Sequence, residues 1–210
     1  MELLLIMGIP YFSPMKTTDG LRSRKQQILE EAAKLFRTRG FKGTSLQLIA
    51  EKVGMEGPSL YNHIRSKQEL LSILVMTNAR VFNERIAEIH SSSLNSMDKI
   101  DRVISLHIEL TVVNPDAMSL MLSEWAHLEA EEKVEYVKLR DSYESQFKQI
   151  LEQAMADGEV VQMDVNFMMF MILSTLRSLY AWCARYRNYN RLEMESYLKQ
   201  GILKGILAKA

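Results

Sequence analysis

Three short helical patterns, separated by glycines, occupy the N-terminal third of this 210-residue chain. Gly40 ends the first pattern, and a capping box, Thr44-x-x-Gln47, opens the second. Gly54 ends the second, and the third begins three residues later near Pro58, a residue suited to a first helical turn. A helix, a glycine, a short turn and a short helix form a helix-turn-helix. The apolar residues at helical spacing in the first pattern are Ile28, Ala32, Leu35 and Phe36.

The turn and the third helix have the properties that DNA binding requires. Gly54 tolerates a left-handed backbone, which permits a sharp reversal of the chain. The third helix, predicted to run to Ile64, has few apolar residues and can therefore protrude into a major groove about 12 Å wide. A second capping box, Ser66-x-x-Glu69, opens a long fourth helix.

The charge of the chain is unevenly distributed. Lysine and arginine together equal aspartate and glutamate, so the formal net charge is zero. Residues 15–70, however, contain eleven basic and six acidic side chains, and the remainder of the chain is correspondingly acidic. A basic segment attached to an acidic body is typical of a module that binds a polyanion.

The run RKQQILEEAAKLFRTRGFKGTSLQLIAEKVGMEGPSLYNHIRSKQELL at residues 24–71 resembles the DNA-binding domain of TetR/AcrR-type transcriptional regulators. It includes the core pattern LY-x-H-x-x-S-K-x-x-L, whereas the rest of the chain matches only in length and helical character. The resemblance implies an all-α fold with an N-terminal three-helix helix-turn-helix domain and a larger helical domain for ligand binding and dimerisation. It also implies a ligand-responsive repressor that a small hydrophobic effector releases from a palindromic, double-stranded DNA operator.

The resemblance implies that several residues outside the third helix hold the DNA. Thr44 and Ser45, at the start of the second helix, would meet a phosphate through their hydroxyls and free backbone N–H groups. Gln47, one turn further on, would contact a base edge or a phosphate. Lys67 would pair with a phosphate, and Arg24 would reach a flanking phosphate or the minor groove.

The third helix would read the bases. Asn62 is a good bidentate partner for adenine. Gly57 departs from the polar residue that many relatives carry there, which removes one side-chain contact. Tyr61 and His63 match residues that hold the DNA backbone, although a tyrosine here can also be a core ring and a histidine a general base or metal ligand. The predicted base-reading positions are Gly57, Pro58, Ser59 and Asn62.

Five further helices are predicted after the fourth, which gives about nine in all and no strand; they lie at residues 96–113, 116–128, 131–156, 165–186 and 190–208. The segment 167–182 is apolar nearly all round, so one face suits the core of the subunit and the other a partner helix. The resemblance implies a homodimer through the last two helices. Gly201-x-x-x-Gly205 would let a helix approach closely, or it merely weakens the end of the last helix.

Methionines and aromatic residues are abundant in the C-terminal two thirds, either as an ordinary helical core or as the lining of an apolar effector pocket. The resemblance places such a pocket between the fifth and eighth helices. Arg177 lies in an apolar helix and therefore needs a partner or an anionic ligand, unless it pairs with Glu124 or reaches solvent. The predicted lining residues are Met121, Trp125, Phe147, Phe170 and Tyr180, with His107 or Arg177 as a polar anchor.

The sequence lacks the usual motifs of an enzyme. It has no glycine-rich phosphate loop, no G-x-S-x-G and no HExxH. Glu124-x-x-His127 has the spacing of di-iron ligands in helical bundles, but no second pair of this kind occurs. We therefore expect no catalytic residue, metal or cofactor. The alternative is a helical-bundle ligand- or metal-binding protein without a DNA function.

The predicted organisation has three parts: a disordered tail at residues 1–20, the helix-turn-helix domain at 21–67, and the effector-binding and dimerisation domain at 68–210. Met15 begins the ordinary part of the sequence, so translation starting there is a hypothesis. The single cysteine, Cys183, suits packing in a reducing compartment. No uninterrupted apolar run reaches the ~18 residues of a membrane span, so the expected location is the cytoplasm, without a membrane partner.

Overall fold

A computed structural model describes residues 23–186 and 189–207. Over these residues the chain forms nine α-helices and no strand, which confirms the predicted all-α class. The predicted N-terminal tail and Met15 lie outside the described residues. The helices are α1 (Arg24–Arg39), α2 (Leu46–Val53), α3 (Gly57–Leu60), α4 (Lys67–Ser91), α5 (Ser96–Val113), α6 (Pro115–Ser123), α7 (Ala130–Ala156), α8 (Val165–Arg185) and α9 (Arg191–Ile206), with a 3-10 turn at Trp125–His127.

The chain divides into two compact units. The first comprises the residues up to Val81 together with Asp116–Tyr136, and the second comprises Phe82–Pro115 and the residues from Val137 onward. The first unit therefore contains α1–α3 and α6, and both α4 and α7 contribute residues to each unit. The predicted sequence boundary after residue 67 remains a prediction.

The core of the first unit forms around α1. The four apolar positions predicted for this helix are all buried, α1 packs against α2, and α2 packs against α3. Ser23 caps α1, and Gly40, with a φ of 74°, follows its last residue. The buried side chains that hold the three short helices together are Ile28, Ala32, Leu35, Phe36, Ile49, Leu60, Ile64 and Leu70.

Two predicted features of the short helices are corrected. The side chain that caps α2 is that of Ser45, which accepts a hydrogen bond from the Leu48 N–H, and not that of Thr44. The third helix is also shorter than predicted, because α3 ends at Leu60. The backbone continues to Ile64 through turns in which Asn62 and His63 bond three residues back.

The start of α4 agrees with the prediction. Ser66 accepts a hydrogen bond from the Glu69 N–H at 3.0 Å, as in a capping box. The Glu69 carboxylate in turn accepts from the Arg65 N–H at 2.6 Å. The long helix that leaves the helix-turn-helix therefore begins at a position fixed by local hydrogen bonds.

The second unit is built around α5, which packs against α8 and α9. Helix α8 buries one side, with Met168, Ile172, Leu176 and Cys183, and exposes Phe170 on the opposite side. It is the one described helix that is long and apolar enough to span a membrane by length and composition. Because a buried core helix passes the same test, this is weak support for a membrane location.

Candidate nucleic-acid interface

The turn between α2 and α3 has the geometry that the sequence predicts. Gly54 has a φ of 70° and a ψ of 40°, in the left-handed region, and its N–H donates to the carbonyls that close α2. The Met55 N–H donates to the Ala50 carbonyl at 2.9 Å. These bonds reverse the chain within three residues, so that α3 can begin at Gly57.

Two buried anchors hold α3 and the turn after it. Leu60 and Ile64 are each only 1% exposed, whereas the Tyr61 side chain between them is 59% exposed. Pro58 and Asn62 are also exposed, and His63 is half-buried. The inward positions are therefore used for packing, and the outward ones are free to meet a ligand as large as a DNA duplex. The exposure of Tyr61 excludes the alternative of a core ring.

Gly57 and Ser59 lie at the edge of this surface. Both are half-buried in the described chain. A Cβ atom added to Gly57 would meet nothing within 4 Å, and its φ is not positive. The absence of a side chain at Gly57 is therefore not required by packing or by backbone conformation.

The start of α2 offers a hydrogen-bond donor. Ser45 is exposed and uses its oxygen to accept from the Leu48 N–H at 3.1 Å, so its hydroxyl proton remains available. Gln47 is exposed, and its amide donates to the Glu51 carboxylate at 3.3 Å. At the start of α1, Arg24 is also exposed, and its guanidinium donates to the Gln27 side-chain oxygen at 2.9 Å.

Thr44 lies inside the first unit and not on its surface. Its side chain is buried, and its hydroxyl lies within hydrogen-bonding distance of the Gly40 carbonyl, at 3.0 Å, and of the Leu35 carbonyl, at 3.3 Å. The Thr44 hydroxyl therefore links α2 to the end of α1, and it is not part of the interface that we propose.

Lys67 joins two parts of the helix-turn-helix. Its ammonium donates to the Phe41 and Thr44 carbonyls, each at 2.8 Å, and lies 4.4 Å from the centroid of the Phe41 ring. Two of its three donors are thus used within the protein, which leaves one for a phosphate. The structure therefore adds a positioning role that the sequence analysis missed.

The segment Asp116–Tyr136 is bonded directly to the helix-turn-helix. The Arg37 guanidinium donates to the Asp116 carboxylate, and the Phe41 N–H donates to the Glu124 carboxylate at 3.4 Å. The Phe41 ring stacks on the His127 ring, with the centroids 5.7 Å apart. No sequence pattern predicts these contacts, because the partners lie far apart in the chain.

The same contacts bear on the di-iron alternative. Glu124 and His127 lie 3.6 Å apart but face Phe41. Among the described residues, no group of three or more histidine, cysteine, aspartate or glutamate side chains could hold a metal ion. The observed role of the pair is structural, at the edge of the helix-turn-helix.

The predicted effector residues are divided between the two units. Met121 and Trp125 belong to the first unit, where the Trp125 ring stacks on Tyr136 and the Met121 carbonyl accepts from the Tyr136 hydroxyl. Phe170 is 63% exposed on the side of α8 opposite its buried residues, and its role as a lining residue stays a prediction. The sequence alone did not distinguish the buried face of α8 from the exposed one. Tyr180, in the second unit, is half-buried.

A polar pair surrounded by aromatic rings lies inside the second unit. The His107 Nε2 atom and the Tyr143 hydroxyl are 2.7 Å apart, and both side chains are buried. The Phe82 ring packs on His107, with the centroids 4.6 Å apart, and Phe147 packs beside Tyr143. His107 and Phe147 thus both lie beside Tyr143, a residue that the sequence analysis missed, and their part in effector binding stays a prediction.

Arg177 has a partner, although not the one suggested by the sequence. Its guanidinium donates to the Glu144 carboxylate at 2.6 Å, on α7, and not to Glu124. Burial, and secondly the charge of Arg177, lower the pKa of His107 to about 3. Burial also raises the pKa of the Tyr143 phenol, an effect that Arg177 opposes and Glu144 reinforces. Both members of the pair are therefore uncharged at neutral pH.

The last two helices expose an apolar surface with two grooves. The larger groove, of about 620 Å³, is lined by residues of α8 and α9 that include Trp182 and Tyr197. The smaller, of about 270 Å³, includes Gly201 and Gly205. A Cβ atom added to either glycine would meet nothing within 4 Å, so packing within this chain does not require these glycines.

A helix-turn-helix with an exposed outer surface, carried on an all-helical chain, defines a DNA-binding regulator. Comparison with known families agrees. Residues 28–73 match the family model "Bacterial regulatory proteins, tetR family", and residues 93–188 match "Tetracyclin repressor-like, C-terminal domain". The chain belongs to the TetR family of transcriptional regulators, and it is not an enzyme.

Individual relatives support the same assignment. The transcriptional repressor KstR2 of Rhodococcus jostii is 27% identical over 146 residues, which cover 69% of this chain and 72% of the relative. The structure of the ketosteroid regulator KstR2 of Mycobacterium tuberculosis is similar with a TM-score of 0.80 at 21% identity, covering 90% of this chain and 97% of that one. AibR, solved in complex with isovaleryl coenzyme A and operator DNA, gives a TM-score of 0.71 at 24% identity, covering 90% and 100%. These two solved structures share the fold.

Proposed function

We propose that this protein is a cytoplasmic repressor that occupies a palindromic operator as a homodimer and leaves it when a small hydrophobic effector binds. The observation that supports it most strongly is the surface after the α2–α3 turn. There the buried Leu60 and Ile64 hold Pro58, Tyr61 and Asn62 outward. Such a surface suits the major groove, where side chains can read base edges.

The backbone of the operator would be held around this surface. Ser45 has a free hydroxyl proton, and Arg24 is exposed at the first turn of α1. Gln47 and His63 lie on α2 and after α3, and Lys67 retains one donor. We propose that these side chains bind phosphates or flanking bases, and that Asn62 contributes most to base preference.

The proposed dimer would form through α8 and α9. Their exposed face contains large apolar side chains, including Phe170 at 63% and Tyr197 at 69% exposure, which a single chain leaves in water. The two glycines beside the smaller groove would let a partner helix approach closely. A symmetric dimer would place two recognition surfaces roughly one DNA turn, ~35 Å, apart, which is the reason to expect a palindromic operator.

The proposed effector is a small molecule with an apolar skeleton. The second unit provides the aromatic cluster of Phe82, His107, Tyr143 and Phe147 for it. The relatives add support, since one is named a ketosteroid regulator and another was solved with isovaleryl coenzyme A. Met121, Trp125 and Tyr180 stay predictions that rest on sequence alone.

Operator release would follow from a shift between two populations of the dimer. The segment Asp116–Tyr136 is bonded to the helix-turn-helix through Arg37 and Phe41, and α4 and α7 continue from this unit into the effector-binding unit. We propose that effector binding favours a dimer in which the spacing of the two recognition surfaces no longer fits successive major grooves. Operator affinity would then fall with effector concentration.

Site selection from a random DNA library tests the DNA-reading part of this proposal. The wild-type protein should enrich a palindrome, and Asn62→Ala should change the enriched bases at symmetric positions of both half-sites. Ser145→Ala, an exposed polar change on α7, is the control and should give the wild-type profile. An unchanged profile for Asn62→Ala would show that Asn62 does not read the operator, and no enrichment by the wild type would contradict the proposed function itself.

A further inference from the structure

The buried pair of His107 and Tyr143 has more hydrogen-bonding capacity than the fold uses. Their single shared bond, 2.7 Å from Nε2 to the hydroxyl oxygen, joins α5 to α7. Within residues 23–186 and 189–207, neither the imidazole nor the phenol has a second hydrogen-bond partner. Neighbouring rings of Phe82 and Phe147 supply only apolar surface.

One donor of this pair stays free in either tautomer of the imidazole. If the Tyr143 hydroxyl donates to Nε2, then the His107 Nδ1–H is left without an acceptor. If the His107 Nε2–H donates to the phenol oxygen, then the Tyr143 O–H is left instead. A donor without an acceptor on these largely buried side chains is unfavourable, so the pair is suited to an incoming oxygen atom.

Burial of the pair favours a neutral oxygen over an anion. Burial keeps His107 uncharged, with its pKa lowered to about 3. The nearby cation, Arg177, already donates to Glu144 at 2.6 Å. A carboxylate at the pair would therefore lose its hydration without an unpaired cation to replace it.

We propose that His107 and Tyr143 together bind a carbonyl oxygen of the effector, so that the effector class is an uncharged ketone, ester or thioester on an apolar skeleton and not a free carboxylic acid. This proposal rests on the proposed effector-binding function of the second unit. The free donor of the pair bonds to the carbonyl, and the flanking phenylalanines contact the adjoining apolar carbons.

The test compares two ligands that differ at one group. In 2-undecanone a methyl group replaces the carboxylate oxygen of decanoate, and both carry the same alkyl chain. Isothermal titration of the full chain without DNA should give at least tenfold tighter binding of 2-undecanone. Because DNA is absent, this result does not depend on operator binding, and a failure of the DNA-reading function would be detected separately by site selection.

Two variants assign the binding to the pair. Tyr143→Phe should weaken 2-undecanone about tenfold, because it removes either the O–H that bonds to the carbonyl or the bond that keeps the His107 proton on Nδ1. Tyr136→Phe is the matched control, because it removes another hydrogen bond of a buried tyrosine, to the Met121 carbonyl, and it should leave the affinity within twofold. His107→Gln retains an uncharged amide donor and should therefore lose less affinity for 2-undecanone than His107→Leu. This comparison tests the pair even if Tyr143→Phe folds poorly.

An infrared spectrum of 2-undecanone labelled with ¹³C at the carbonyl gives the direct signature. Bound to the wild type, its carbonyl stretch should move to lower frequency than in hexane, and this shift should shrink in Tyr143→Phe. The proposal is overturned if 2-undecanone does not bind, if decanoate binds more tightly, or if the stretch is unchanged on binding. Equal losses in Tyr143→Phe and Tyr136→Phe would also overturn it, because they would indicate a general loss of stability.

Discussion

Some side chains that stand out in the sequence have further contacts that only the folded chain reveals. Lys67 was expected at a DNA phosphate, but two of its hydrogen bonds hold the turn between α1 and α2. Arg177 requires a partner, as expected for a charge in an apolar helix, and that partner is Glu144. The sequence identified both residues because a charged side chain can be recognised from the residues around it in the chain. It missed their partners because these depend on packing between helices.

The buried imidazole of His107 should make stability depend on pH. Its pKa in the folded state, about 3, lies below the ordinary value of 6.5, so the unfolded chain binds a proton first as the pH falls. Stability is therefore fully present above about pH 6.5 and is lost towards pH 3. Between pH 6.5 and 5 this one group should account for about 2 kcal/mol.

Urea unfolding of the wild type and His107→Gln at a series of pH values measures this contribution. The wild type should lose more stability between pH 6.5 and 5 than the variant does. Parallel curves for the two proteins would show that His107 is not held uncharged by burial.

Removing the ammonium of Lys67 should destabilise the first unit. Lys67→Met keeps an apolar stem of similar length but leaves the Phe41 and Thr44 carbonyls without this donor, which should cost about 1–2 kcal/mol. Lys42→Met, at an exposed lysine, is the control and should change stability by less than about 0.5 kcal/mol. Equal values in urea unfolding would show that the Lys67 bonds add nothing to the fold.

At the scale of single helices, the sequence predicts the helix ends best, with an accuracy of about one residue where a local cap fixes the end. The Ser66 cap and the left-handed Gly54 occur where expected, because both depend on residues close in the chain. The cap of α2 moves from Thr44 to Ser45 because the Thr44 hydroxyl faces the carbonyls at the end of α1. The end of α3 could not be predicted, since burial of Leu60 and Ile64 decides how far the helix continues.

The two glycines that flank the turn should respond oppositely to alanine. Gly54 has a φ of 70°, which an alanine adopts only with strain, so Gly54→Ala should destabilise by about 1 kcal/mol or more. Gly57 has open space and no positive φ, so Gly57→Ala should be neutral or stabilise by up to about 1 kcal/mol. Urea denaturation midpoints of the two variants compare them directly. Equal destabilisation would contradict the account of the turn.

At the scale of the whole molecule, the most unusual feature is the exposed apolar face of α8 and α9. A chain that acts alone would be expected to bury such a face. Sequence alone indicated that segment 167–182 was too apolar for one core, which the exposed Phe167 and Phe170 bear out. It could not separate the core face from the other, because this segment is apolar nearly all round. Because of this ambiguity the sequence predicted Phe170 for the effector pocket, whereas its side chain is 63% exposed in the single chain.

A large side chain at Gly201 should separate the proposed dimer. A Cβ there has open space in the single chain, so Gly201→Leu should fold normally, and a partner helix close to this position would be displaced. Sedimentation velocity should show the variant shifted towards monomer, with wild-type helical content in circular dichroism. Gln153→Leu, at an exposed site on α7, is the control and should sediment as the wild type does. An unaltered dimer in Gly201→Leu would place the interface elsewhere.

Native mass spectrometry of the protein mixed with its selected operator tests the central claim of a dimeric, effector-released repressor most directly. We expect one duplex bound to two chains. Addition of 2-undecanone should convert this complex to free DNA and a free dimer that carries the ligand. Asn62→Ala should fail to form this complex on the wild-type operator. A complex with one chain per duplex, or a ligand-bearing dimer that stays on the operator, would contradict the account.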